Sequence, residues 1–122
     1  MSFMYLASPY THSDPRVRQW RYEAVRDYAA HLIQNRQWIF APIMHSHDLS
    51  LHHTLPYEFE FWQDLNHTMI VASNGMIVFQ IDGWRQSRGI IDEIEFCMKI
   101  GRPVIYSTHW LRYDHPTQPT FD

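Results

Sequence analysis

Four short apolar runs punctuate the chain, and amphipathic stretches separate them. The first run is Phe3-Met4-Tyr5-Leu6-Ala7, broken by Ser8-Pro9-Tyr10-Thr11-His12. The others are Trp38-Ile39-Phe40-Ala41, Met76 to Ile81, and Val104-Ile105-Tyr106. Runs this short, bounded by proline, glycine or polar turns, predict buried strands. After the first run, Val17, Trp20, Ala24, Val25, Tyr28, Ala29, Leu32 and Ile33 recur at helical spacing. Asp14 followed by Pro15 predicts the start of that helix, with a capping side chain and then a proline at the first helical position. Pro56 opens a second helical pattern carrying Phe59, Trp62, Leu65 and Met69, and Gly89 to Ile100 reads as a third helix. Residues 43–55 are expected to be a histidine-rich loop, with His45, His47, His52 and His53. The segment from Arg112, with Pro116 and Pro119, reads as irregular.

Strands that alternate with helices predict a parallel sheet covered on both faces. The expected fold is a flavodoxin- or Rossmann-like three-layer α/β domain with a four- to five-stranded parallel sheet. A chain of 122 residues is long enough for one such domain, over 1–122, and too short for two. Ligands of these sheets bind beyond the C-terminal ends of the strands. Those ends carry Ser8-Pro9-Tyr10, Pro42 to His47, and Asp82 to Ser87, where the polar residues concentrate.

Composition narrows the classes. Hydrophobic residues make up 45% of the chain, which argues against disorder. The net charge is −3 and no basic stripe is present, which disfavours duplex nucleic acid as a partner. No apolar run is long enough to span a bilayer. The N-terminus lacks the basic region of a signal peptide, so a cytoplasmic location is expected. Cys97 is the single cysteine, so an internal disulfide is excluded.

On a wheel of the third helix, Ile90, Ile91, Ile94, Cys97 and Met98 form one face, expected to meet the sheet. Asp92 and Lys99 point away from it. Glu93 lies on a border, flanked by Ile90, Cys97, Phe96 and Ile100. A carboxylate there is expected to be partly desolvated, with a raised pKa. The plainer alternative is a solvated border residue. Phe96 and Ile100 extend the apolar surface past one face, which predicts a homodimer or larger homo-oligomer.

The stretch Asp82-Gly83-Trp84-Arg85-Gln86-Ser87-Arg88-Gly89, running into Glu93 and Gly101-Arg102-Pro103, carries the candidate chemistry. A helix start offers free N–H groups to an anion, here beside Ser87, with a carboxylate one to two turns in. Together with Tyr5 to His12 and the Pro42-to-His47 segment, it resembles the nucleoside 2-deoxyribosyltransferase-like family. It is closest to a branch of short bacterial and phage proteins, and also resembles the deoxynucleotide N-hydrolases. The resemblance covers about residues 3 to 106. Its core is the S-x-G-x-x-x-E spacing of Ser87, Gly89 and Glu93, followed by a G-[KR]-P turn.

The resemblance implies that Glu93 is a nucleophile attacking C1′ of a deoxyribosyl group. It implies that Tyr5 hydrogen-bonds that carboxylate and that Ser87 contacts a 5′-phosphate or 5′-hydroxyl. Two departures stand out. The turn at Ser8 to His12 is not glycine- and arginine-rich, which leaves the phosphate requirement open. Glu95 stands where the family carries a small residue.

Such chemistry suits these residue types. Cleaving an N-glycosidic bond builds positive charge on the sugar, and a carboxylate stabilises that charge or traps it as an ester. Asp82 is a candidate donor to the leaving base or an orienter, against a plain turn or cap role. Ser8, Pro9, His45, His47, Gly83, Trp84, Ser87 and Gly89 are expected around a nucleoside or nucleotide. No cofactor and no metal is expected. Two other functions remain open: a nucleotide-binding module without turnover, and a metal-dependent hydrolase using the His45/His47 loop, whose HxH spacing occurs in some zinc sites.

Overall fold

A computed structural model describes residues 2–108. The expected irregular segment from Arg112 lies outside the described residues. Strand β1 is Met4–Ala7, and helix α1 is Pro15–Gln34. They are followed by β2 (Ile39–Phe40), α2 (Pro42–His53), α3 (Phe59–Ala72) and β3 (Met76–Phe79). A short 3-10 turn at Trp84–Gln86 leads into α4 (Arg88–Lys99) and β4 (Val104–Ser107).

The four strands form one parallel sheet in the order β2-β1-β3-β4. Tyr5 pairs with Phe40 on one side and with Met76 on the other. Strand order therefore reverses between β1 and β3, the position at which such sheets open a crevice. The two-residue period of β1 sends Leu6 to one face and Tyr5 and Ala7 to the other. Leu6 and Phe79 pack with Val25, Tyr28 and Leu32 of α1. Tyr5, Ala7 and Val78 pack with Ile70 of α3 and with Ile90 and Cys97 of α4. Tyr5 thus faces the helix that carries Glu93. The three-layer α/β architecture is as the sequence predicts.

Local starts follow their sequence signals. The Asp14 side chain accepts from Arg16 N at 2.8 Å, with Pro15 at the first position of α1. Ser87 Oγ accepts from Ile90 N at 3.2 Å and caps α4.

Several expectations are corrected. The histidine-rich segment is helix α2, not a loop. Its buried positions are Pro42, Ile43, Ser46 and His47, so polar side chains occupy the inward stripe and hide the apolar period. Two helices consequently separate β2 from β3. Strand β2 has two residues rather than four, and β3 ends at Phe79 rather than Ile81. Helix α4 is also rotated from the wheel's expectation. Ile90, Glu93 and Cys97 face inward, whereas Ile91 and Met98 are 47% and 65% exposed. Asp92, expected to point away, accepts from Gln63 at 2.8 Å and from His67 at 2.7 Å, both on α3. These bonds and the Tyr5–Glu93 contact set the rotation.

Candidate active site

A pocket open at its mouth lies over the C-terminal ends of β1, β2 and β3. Ser8 enters it after β1, Pro42 after β2, and Ser87 and Gly89 after β3, at the start of α4. Glu93 also lines it, only 8% exposed. The Tyr5 hydroxyl donates to Glu93 Oε2. Burial pushes the Glu93 carboxyl up from 4.5 to about 7; the neighbouring Asp92 charge also raises it, and hydrogen bonds from Tyr5 and Asn66 pull it back. Burial and the Glu93 charge hold the Tyr5 phenol well above its ordinary value, so Tyr5 remains a donor. The bland alternative of a solvated Glu93 does not hold.

Ser8 supplies a second polar feature. Its hydroxyl is buried in the pocket wall and is the buried side-chain oxygen with no hydrogen-bond partner among the described residues. Buried polar groups are normally satisfied, and an orphan facing a cavity suits a ligand contact. Pro9 beside it is fully buried. Gly89 leaves room for Phe59: a Cβ there would approach the Phe59 Cβ to 3.2 Å.

The structure brings Tyr5, Ser8, Ser87, Gly89 and Glu93 together and leaves other expected residues apart. Asp82 is exposed and outside this pocket. Beside it, Arg21 packs against Gly83, where a Cβ would meet Arg21 Nη2 at 2.3 Å. Arg21 also donates to Thr11 O at 2.9 Å, and Gly83 takes a φ of 95°. Gly83 therefore serves the turn that precedes α4, and the Asp82 charge acts on the Arg21 guanidinium. Trp84 packs on the second core cluster, 5.8 Å from the Tyr106 ring, and is not among the residues that line the pocket. His45 is exposed and lies edge-on to Trp62.

His47 is buried, and both its nitrogens are engaged. Nδ1 lies 2.6 Å from the Tyr10 hydroxyl and Nε2 lies 3.0 Å from Gln19 Oε1. Because His45 and His47 sit two apart on a helix rather than in a loop, their rings diverge and do not pair as HxH ligands. Among the described residues, no group of three or more histidine, cysteine, aspartate or glutamate side chains is placed to hold a metal.

Comparison with known proteins adds one result. The profile of a domain of unknown function, DUF1937, matches residues 2–109. The chain belongs to that family. No curated protein matches it. The DUF1937 match spans all four strands and every residue of the pocket.

Sequence reasoning missed Asn66, Tyr57, Phe59 and Ser46, which also line the pocket. Asn66 had a readable signal. It sits between Trp62 and Ile70, at four-residue steps on the buried stripe of α3. A polar residue on such a stripe needs a partner, and here the partner is Glu93.

Proposed function

We propose that this protein cleaves, or transfers across, the N-glycosidic bond of a (deoxy)nucleoside or nucleotide, with Glu93 as the nucleophile. It would act in the manner of the nucleoside 2-deoxyribosyltransferase-like enzymes. One observation carries the reading. A glutamate at the S-x-G-x-x-x-E spacing is buried in a pocket at the switch point of the sheet and held by a tyrosine hydroxyl.

The sugar lies against Glu93 and Ser8, with its 5′ end toward the start of α4. Glu93 attacks C1′ as the C1′–N bond breaks, and the base departs with the electron pair and takes up a proton. Water or an acceptor base then attacks C1′, breaking the ester and freeing Glu93. Tyr5 orients the carboxylate and shares its charge. Burial raises the energy of the anion, and a sugar acquiring positive charge relieves that cost, so stabilisation is concentrated on the transition state.

No helix among the described residues is long and apolar enough to cross a membrane. A cytoplasmic enzyme acting on a soluble metabolite fits that finding. Phe96 stacks on His67 at 3.9 Å, so part of the apolar surface expected to bind a partner is covered within the chain. Exposed Ile91 and Met98 are the support that α4 offers for a homo-oligomer. A monomer by light scattering at tens of micromolar would count against one.

The test is to incubate the protein with deoxynucleosides and their 5′-monophosphates, with and without an acceptor base, and to measure free base and exchanged nucleoside. Release or exchange from at least one substrate is expected. A protein that binds such compounds and turns none over would be a binding module instead.

A further inference from the structure

Beside the Glu93 pocket lies a second, open cavity between α1 and α2. The two share Tyr10 and Tyr57, so they are adjoining parts of one cleft. Their chemistry differs. The first holds the carboxylate, the orphan Ser8 hydroxyl and a helix start. The second has apolar walls from Pro15, Leu51 and Leu55, no acidic side chain in its lining, and polar groups from Arg18 and Gln19 with the hydroxyls of Ser50 and Thr54.

The hydrogen bonds around His47 decide what this cavity offers. With Gln19 Oε1, an acceptor, facing Nε2, the assigned tautomer of His47 carries its proton on Nε2 and accepts from Tyr10 at Nδ1. Tyr22 stacks on the same imidazole at 4.2 Å and holds its plane. The Gln19 carbonyl is thereby engaged, and its NH2 group is left to donate. Arg18 spends one N–H on His12 O, lies 3.8 Å over the Tyr57 ring, and keeps further donors. The cavity thus presents donors and apolar walls, next to the carboxylate pocket.

We propose that this second cavity is the seat of the departing ring, and that it takes a planar heterocycle bearing carbonyl oxygens. The assignment rests on the glycosidic reading above and adds the ring class to it. An oxo-ring such as uracil or hypoxanthine accepts from Gln19 and Arg18 through its carbonyl oxygens, whereas adenine offers only ring nitrogens and sets an amino donor against these donors. Gln19 is then a specificity residue, and His47 is a positioning residue that acts through it and through Tyr10.

The experiment titrates free uracil, hypoxanthine and adenine into the protein, followed by calorimetry or NMR. The unaltered chain, Gln19→Glu and Glu93→Gln are compared. In Gln19→Glu an oxygen still accepts from His47, so the network and the melting temperature are kept while the donor is replaced by an acceptor. Oxo-rings should bind about tenfold tighter than adenine to the unaltered chain, and Gln19→Glu should erase that preference. Glu93→Gln should leave ring binding unchanged. Equal binding of adenine, no ring binding at all, or oxo-ring binding unaffected by Gln19→Glu would overturn the proposal. So would its loss in Glu93→Gln, since the ring would then sit in the first pocket. Ring binding without base release from any deoxynucleoside keeps this site and removes the glycosidase reading. Base release with a KM that Gln19→Glu does not move keeps that reading and removes this site.

Discussion

Replacing Glu93 by glutamine should stabilise the protein at alkaline pH and change little in acid. The carboxyl is raised by burial from 4.5 to about 7. Below the unfolded value the group is protonated in both states, and its burial carries no charge penalty. As pH rises, the unfolded chain loses the proton first, and folding becomes progressively less favourable until the folded group also ionises, near 7. At about 1.36 kcal/mol per pH unit, the penalty reaches about 3 kcal/mol above neutral pH. Glutamine keeps the volume and still accepts from Tyr5, but it has no proton to lose. The stability difference between variant and parent should therefore grow by about 3 kcal/mol between acid and mildly alkaline pH. Urea unfolding of both proteins at about pH 4.5, 6 and 8 measures it, because every other titrating group is common to the two. A difference that stays constant with pH would refute the buried-carboxylate account.

Other outcomes follow from the same geometry. If Glu93 must be ionised to attack, kcat/KM should rise with pH through about 7. Tyr5→Phe removes a bond that lowers the Glu93 pKa, so the midpoint of that pH–rate profile should move upward, with turnover falling about ten- to hundredfold. An unmoved midpoint would assign Tyr5 to packing alone. Gly83→Ala forces a Cβ into a φ of 95° and to 2.3 Å from the buried Arg21 guanidinium. It should cost about 2 kcal/mol in unfolding free energy, and an unchanged melting temperature would show that the Arg21 contact is dispensable.

How much of this was legible in the chain depended on which residues face inward. Strands β1 and β3 and helix α1 bury apolar side chains, so their periods are visible in the sequence. Helix α2 buries Ser46 and His47 instead, and a hydrophobic pattern cannot reveal a helix whose inward face is polar. The same limit applies to the rotation of α4. Ile91 and Met98 look like core on a wheel, yet Glu93 takes the inward position because Tyr5 and Asn66 receive it there. The family resemblance pointed to Glu93, Ser87 and Tyr5. Asp82 and Trp84, expected at the site from their place in the turn before α4, are not among the residues that line the pocket. Asn66 on α3 and Tyr57 just before it are distant in sequence from Glu93, and only the packing of α3 against α4 brings Asn66 to the carboxylate.

The most direct test of the central claim is base release by the parent protein and by Glu93→Gln on the best deoxynucleoside or deoxynucleotide found. The account predicts measurable release by the parent and a loss of several orders of magnitude in the variant, which remains folded and still binds the substrate, because an amide cannot trap the sugar cation. Near-parental release by Glu93→Gln would contradict it.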